Sequence, residues 1–438
     1  MTDLKQLTLQ IFQQTIAAID IPATMRRKLH VAGSVLHCGE FRCDLREFAK
    51  VRVIALGKAA GAMLSGLTGV LPAALPLEGI VVTPASVAER LAGFQYFVSG
   101  HPVPNAESWK AAETILSFLK KSDEKTLVFF LLSGGGSALM ELPLNEAQTL
   151  ADVQQVNRAL VGCGAPIDEI NTVRKHLSAV KGGRLAVAAG PATKLTLAVS
   201  DVPAGKESAL ASGPTIADPT TISDFDRIVK KYNLAAQFPN SVTKWLAEQQ
   251  MPETPKEDHP AFANAYFFLM LGMDDLFHPA HKIAEALGCV TCCDNCTDDW
   301  PVEKAADFLL RQLADLRQAN PGRRVVLLAD GEVSSPVTGS GIGGRNATFV
   351  LACAAKIAGQ PIAVLSAGTD GIDGNSPAAG AVADGSTISR GENANMPAMD
   401  YFQRSDAHSY FARLGDAIET GPTGNNLRDL RILVADPS

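Results

Sequence analysis

Cysteine, tryptophan and tyrosine are scarce in this chain, at 8, 3 and 5 of 438 residues. Eight cysteines spread over that length exclude a disulfide framework. Long hydrophobic runs are also missing. The strongest, residues 127–132 and 266–271, are strand-sized and far too short to span a bilayer. There is no cationic excess: 39 Lys and Arg stand against 46 Asp and Glu, for a net charge of -7. That balance argues against nucleic acid as the main partner. The N-terminus lacks the apolar core of a secretory signal and carries Asp3, Gln6 and Gln10 instead. Leu4, Leu7, Ile11, Phe12, Ile16 and Ile19 fit one face of an amphipathic helix. A cytoplasmic protein that avoids membranes is expected. No Walker A pattern, protein-kinase signature set, internal repeat or low-complexity tract is present.

What the chain does have is glycine, clustered in turns that follow apolar runs. Four segments stand out: Gly57-Lys58-Ala59-Ala60-Gly61, Ser133-Gly134-Gly135-Gly136-Ser137, Gly339-Ser340-Gly341-Ile342-Gly343-Gly344-Arg345-Asn346 and Gly368-Thr369-Asp370-Gly371-Ile372-Asp373-Gly374. Glycine costs conformational entropy, so clusters mark positive φ or close backbone approach. A turn that ends a strand and opens a helix aims free N–H groups at one spot and favours an anion there. Short apolar runs alternate with helical stretches, which reads as α/β with largely parallel sheets. The length calls for two domains. Prolines and charges accumulate at residues 251–258, placing the domains at 1–255 and 256–438, with the strand near 266–271 opening the second.

Lys58 sits one residue past a strand at a helix start, where an ammonium reaches a phosphate. Ser133, Gly134, Gly135, Gly136 and Ser137 follow the most apolar strand and expose backbone amides to a ligand. Arg174 can hold a carboxylate or phosphate through paired hydrogen bonds. Its neighbours Lys175, Lys181 and Arg184 read as a solvated basic face. Asp201 ends a strand, and Asp370 and Asp373 lie in a glycine turn. Such carboxylates bind Mg²⁺, accept a proton, or only close their own turns. The spacing Gly339-x-Gly341-x-x-Gly344 meets the dinucleotide fingerprint only formally, because it does not directly follow a strand. Arg345 beside it can clamp an anion. Cys289, Cys292, Cys293 and Cys296 have zinc-like pair spacing, but the pairs lie too close for a zinc ribbon. Reduced thiols on a strand are expected there.

Together these segments resemble the glycerate 2-kinases. The resemblance rests on Gly100-His101-Pro102-Val103-Pro104, Leu132-Ser133-Gly134-Gly135-Gly136-Ser137-Ala138-Leu139, Asn171-Thr172-Val173-Arg174-Lys175-His176-Leu177-Ser178, Ser200-Asp201-Val202 and Ala211-Ser212-Gly213-Pro214-Thr215. It continues through Gly341-Ile342-Gly343-Gly344-Arg345-Asn346, the turn at Gly368 and Thr420-Gly421-Pro422-Thr423-Gly424, which are similar to that family's C-terminal MOFRL module.

The resemblance implies a Rossmann-like α/β/α first domain, a smaller α/β second domain and an active-site cleft between them. It implies ATP- and Mg²⁺-dependent phosphorylation of D-glycerate at its 2-hydroxyl. Lys58 and Arg345 then match the family's active-site cations, with Asp201 as base or metal ligand and Glu332 as a second Mg²⁺ ligand. Ser133, Gly134, Gly135, Gly136, Ser137, Arg174 and His101 are expected to contact substrate. Gly343, Gly344, Asn346, Asp370 and Asp373 are expected at the nucleotide. A small hydroxy acid and ATP are the expected partners, and a homodimer is a possible assembly. The chain departs from the pattern at Asp330-Gly331-Glu332-Val333, where the family has Gly-Gly-Glu-Thr, at Gly205-Lys206-Glu207 and at Gly424-Asn425-Asn426. The alternatives are an NAD(P)H-dependent hydroxypyruvate reductase and a noncatalytic small-anion binder.

Overall fold

A computed structural model describes residues 3–87, 89–200, 202, 205–248, 251–424 and 427–437. The chain divides into two compact units, Ile21–Gly272 and a second made of Met1–Asp20 with Met273–Ser438.

The first unit is built on a six-stranded, all-parallel sheet. Its spatial order is Phe94–Val98, Leu77–Thr83, Lys50–Leu56, Thr126–Ser133, Thr193–Val199 and Ala265–Leu271. Numbered along the chain, this is the 3-2-1-4-5-6 order of Rossmann sheets. The all-apolar stretch in Thr126–Ser133 is central and buried throughout, as a strand covered on both faces must be. An antiparallel meander, Leu29–Ala32, Val35–Cys38 and Phe41–Asp44, packs Phe41 against Tyr266 of the edge strand. Helices Leu150–Gly162, Ile167–Leu177, Ile222–Lys231 and Asn240–Ala247 form a satellite cluster around Val156, Val173, Phe225 and Ile228. Thr149 and Thr221 start two of them with reciprocal caps to Asp152 and Asp224.

The second unit holds a six-stranded mixed sheet ordered Val290–Asp294, Val325–Asp330, Asp429–Ala435, Ile362–Gly368, Gly380–Asp384 and Ala417–Ile418. Only its first pair is parallel. The expectation of largely parallel sheets therefore holds for the first unit and fails for the second. The last strand, Asp429–Ala435, inserts antiparallel between two strands that are distant from it in sequence.

The domain boundary also differs from the one expected at residue 255. Strand Ala265–Leu271 completes the parallel sheet by pairing with Thr193–Val199. Helix Leu4–Ala18 has the expected amphipathic face, but packs on helix Asp274–Ala286 and strand Ile362–Gly368 of the second unit. The proline-rich composition near residue 251 marks a loop inside the first unit. Among the described residues, no helix is long and apolar enough to cross a membrane.

Candidate active site

In the parallel sheet, the chain turns one way from strand Lys50–Leu56 and the other way from its neighbour Thr126–Ser133. Ligands of open α/β sheets bind beyond the strand ends at such a switch point. Register places Leu56 opposite Leu132, so Lys58 and the Ser133–Ser137 segment leave the sheet side by side. The Lys58 amide donates to the Gly134 carbonyl at 3.0 Å, and the Ala59 amide donates to Ser133 Oγ at 3.0 Å. Gly57 has φ +123°, and a Cβ there would meet Ser133 Oγ at 2.2 Å.

Gly135 has φ +84°; a Cβ on it would lie 3.2 Å from the His101 ring and 3.4 Å from Lys58 Cγ. His101 and Lys58 thus close on one glycine. Beyond it, the amides of Gly135, Gly136 and Ser137 donate to no protein acceptor among the described residues. Ser137 Oγ lies 2.9 Å from Ser212 Oγ, which donates to Asn171 Oδ1 at 3.2 Å. Ser212 and its neighbour Ala211 are buried with φ of +60° and +50°. Non-glycine residues held there store strain and cluster at functional sites. Asn171 also lines a polar cavity of about 400 Å³ with Thr172, Lys175, Lys206, Ser208 and Thr220, a size suited to a small ligand.

Arg174 is not brought to this turn. Its helix, Ile167–Leu177, sends it into a different, smaller cavity with Glu141, Gln148, Asn157 and Ser178. Nor do its neighbours form a solvated basic face. Lys175 is buried against Asp218 at 3.2 Å, Lys181 is fully buried in an ion pair with Glu141, and Arg184 donates to the Lys175 carbonyl at 2.8 Å. Their acidic partners lie far away in sequence, which is why a local reading leaves these cations in solvent. Asp201 lies outside the described residues.

In the second unit Arg345 opens helix Arg345–Lys356. Its Nε donates to Asp429 Oδ2 at 2.5 Å, and its Nη2 bonds Asp429 Oδ1 at 3.2 Å and Glu332 Oε1 at 2.6 Å. Those two carboxylates raise its pKa against the opposing effect of burial, so the guanidinium is permanently charged. Its Nη1 donates to nothing among the described residues, and the side chain is 35% exposed. Glu332 is a partner of Arg345. Among the described residues, no three His, Cys, Asp or Glu side chains converge to hold a metal ion.

The flanking glycine turns, expected at the nucleotide, are tied to the start of this helix. Asp373 is 2% exposed and accepts from the amides of Asn346 at 3.0 Å and Ala347 at 2.9 Å. A carboxylate there caps the positive end of the helix and fills the place a nucleotide phosphate would take. Asn346 is buried and accepts from Ser366 Oγ. The Gly343 amide donates to Asn375 Oδ1 at 2.8 Å, and a Cβ on Gly344 would meet Asp373 Oδ1 at 2.2 Å. Asp370 accepts from the Ile372 amide at 3.0 Å, an ordinary turn bond. Asp373, Asn346 and Gly344 thus fix the start of the helix that Arg345 opens. Cys292 and Cys293 lie exposed on strand Val290–Asp294.

Asp330 ends the strand before Glu332, at a position where the resemblance expects glycine. It is 1% exposed, and neither carboxylate oxygen accepts a hydrogen bond among the described residues. The nearest cation is Arg428 Nη1, 4.0 Å away, on a side chain already bonded to Asp298 at 2.5 Å. Burial pushes the Asp330 carboxyl up to about 6, with Arg428 opposing and Asp298 reinforcing the rise. A folded value above the unfolded one stabilises below pH ~4 and loses that contribution as pH climbs through 6. Asp330→Asn is accordingly expected to raise unfolding free energy at pH 8 by about 2 kcal/mol, with little change at pH 4. Denaturant titrations at the two pH values check this.

A Rossmann-ordered unit with a glycine turn and lysine at its switch point, joined in one chain to a unit presenting an ion-paired arginine, is the frame of an α/β enzyme. Residues 7–247 match a family described as a domain of unknown function, DUF4147, and residues 325–429 match the MOFRL family. The D-glycerate 2-kinase of Thermotoga maritima is 34% identical over 87% of this chain and 90% of its own length. A protein of Agrobacterium vitis named as a hydroxypyruvate reductase is 35% identical over 98% of this chain and 94% of its own. The crystal structure of glycerate kinase from Thermotoga maritima superposes with a TM-score of 0.80 at 32% identity, covering 99% of both chains. The chain belongs to the glycerate 2-kinase family, with its DUF4147 and MOFRL modules.

Proposed function

We propose that this protein transfers the terminal phosphoryl group of ATP to the 2-hydroxyl of D-glycerate, giving 2-phosphoglycerate and ADP. The observation that carries the reading is the turn at the switch point, where the amides of Gly135, Gly136 and Ser137 have no acceptor among the described residues and lie beside Lys58. Phosphoryl transfer asks for positioning and charge neutralisation more than covalent chemistry. The amides and Lys58 hold anionic oxygens, and His101 closes over Gly135. Arg345 keeps its fixed charge and its Nη1 for the transferred group. As the glycerate oxygen bonds to phosphorus, the bond to the β,γ-bridging oxygen breaks and the hydroxyl proton leaves to a base. Asp201 is proposed from the sequence as that base or as a Mg²⁺ ligand.

The reductase reading is disfavoured by the helix at Arg345. Its Asn346 and Ala347 amides are already occupied by Asp373, which removes two donors a dinucleotide pyrophosphate would use. A coupled assay with glycerate and Mg-ATP, following ADP and phosphoglycerate, tests the proposal, and NMR of the product fixes the phosphorylated oxygen. Cofactor oxidation with hydroxypyruvate and no ADP would establish the reductase instead. Binding of glycerate without turnover would establish an anion binder.

A further inference from the structure

Among the described residues, the Arg174 cavity has one carboxylate, Glu141, facing two cations, Arg174 and Lys181. It has room of about 30 Å³ for the centre of a water-sized group and is lined by Glu141, Gln148, Asn157, Arg174 and Ser178, with apolar walls from Val153 and Val156. Lys58, His101 and the Ser133–Ser137 turn are not among its lining residues. Two buried donors in it have no acceptor, Arg174 Nε and Gln148 Nε2. The one carboxylate present is spent: Glu141 Oε1 accepts from Ser178 Oγ at 2.7 Å and the Leu142 amide at 3.1 Å, and Oε2 pairs with Lys181. Asn157 Nδ2 is used on the Val153 carbonyl at 3.0 Å. Arg174 and Lys181 therefore share a single anion. Buried donors and charges are normally satisfied, and an arginine does not shed its proton to escape.

We propose that this cavity binds a compact monovalent anion, held by Arg174 Nε and Gln148 Nε2. The charge excess is one, so a monoanion balances it and a dianion such as phosphate overshoots. The small volume and apolar walls point the same way. A carboxylate, nitrate or halide fits, and the source is either a free ion or the carboxylate of the acid substrate. The competing account is a water-filled cavity in which Lys181, whose pKa is driven down first by burial and further by Arg174, gives up its proton.

Crystals of the intact protein soaked in bromide test the proposal, together with calorimetric titration by nitrate. Anomalous density is expected beside Arg174 Nε. Nitrate affinity is expected to fall on the order of tenfold or more in Arg174→Met and severalfold in Gln148→Leu. Gln148→Leu removes one neutral donor, so it carries the test if Arg174→Met does not fold. Saturating glycerate separates the sources. A substrate carboxylate displaces bromide, and Arg174→Met then raises KM for glycerate without moving KM for ATP. A free ion stays bound beside glycerate. Since these are binding readouts, they stand whether or not the protein proves to be a kinase. Water alone in the cavity, with nitrate affinity equal in wild type and both variants, overturns the proposal.

Discussion

Arg345→Ala is expected to lower kcat/KM for glycerate phosphorylation on the order of 10²-fold or more, the scale for removing one preorganised charge donor. It is also expected to cost about 3–5 kcal/mol of stability, because it strips a buried carboxylate of its partner. Asp429 is almost wholly buried, and Arg345 grips it through two nitrogens. That ion pair holds the Asp429 carboxyl below the usual carboxylate range. In the variant Asp429 escapes an unpaired charge by taking up a proton, which is cheap near pH 4 and expensive at pH 8. The stability deficit is therefore expected to shrink in acid. Arg345→Lys separates the two effects, since it restores a cation without the two-pronged grip. It should recover part of the stability and little of the activity. Steady-state kinetics alongside denaturant unfolding at pH 4 and pH 8 read both. Near-normal turnover in the alanine variant would remove Arg345 from the reaction.

Why Arg345 was legible in the sequence while its surroundings were not is a matter of distance along the chain. An arginine beside a glycine run and before a helix is a local pattern, and the helix begins at Arg345. Asp429 reaches it only because the last strand inserts into the middle of the mixed sheet, a pairing no local periodicity announces. The same strand brings Arg431, fully buried, to the carbonyls of Asp330 and Gly331. Asp373 was visible as a turn residue with a carboxylate. That it caps helix Arg345–Lys356 from outside depends on Gly344, where any side chain would collide with it.

The first unit was easier to read, because its ligand-facing turn is made by two sequence-local strand ends. Apolar runs of strand length gave Lys50–Leu56 and Thr126–Ser133, and the glycines after them mark where backbone must approach backbone. The strand at 266–271 was visible, but not the sheet it joins. Order within a sheet is set by crossover packing, and a proline-rich loop resembles a linker whether or not it separates domains. The buried Lys181–Glu141 pair was missed for the reason that hid Asp429: each lysine in a basic run looks solvated until its distant acid is found.

Lys58→Ala is expected to lower kcat/KM by about 10²-fold or more. The Lys58 contribution to the fold that is visible at the turn is its backbone amide, bonded to the Gly134 carbonyl, and alanine keeps that bond. Its side chain lies against Gly135, where the Cγ sits close to the space a Cβ would fill, beside the His101 ring. An ammonium there is a compact charge on a flexible stem, suited to following a phosphoryl group as it moves between oxygens. Arginine at this position brings a wider, planar head into a space already limited by His101. Lys58→Arg should thus restore the charge but little of the rate. Gly135→Ala attacks the same geometry from the other side: φ +84° strains any side chain, and the new methyl crowds both His101 and Lys58. It is expected to reduce kcat/KM as well, with a loss of roughly 1–2 kcal/mol in stability. If Lys58→Ala turns over glycerate at close to the normal rate with an unchanged melting temperature, the turn at the switch point is structural and the phosphoryl group is handled elsewhere.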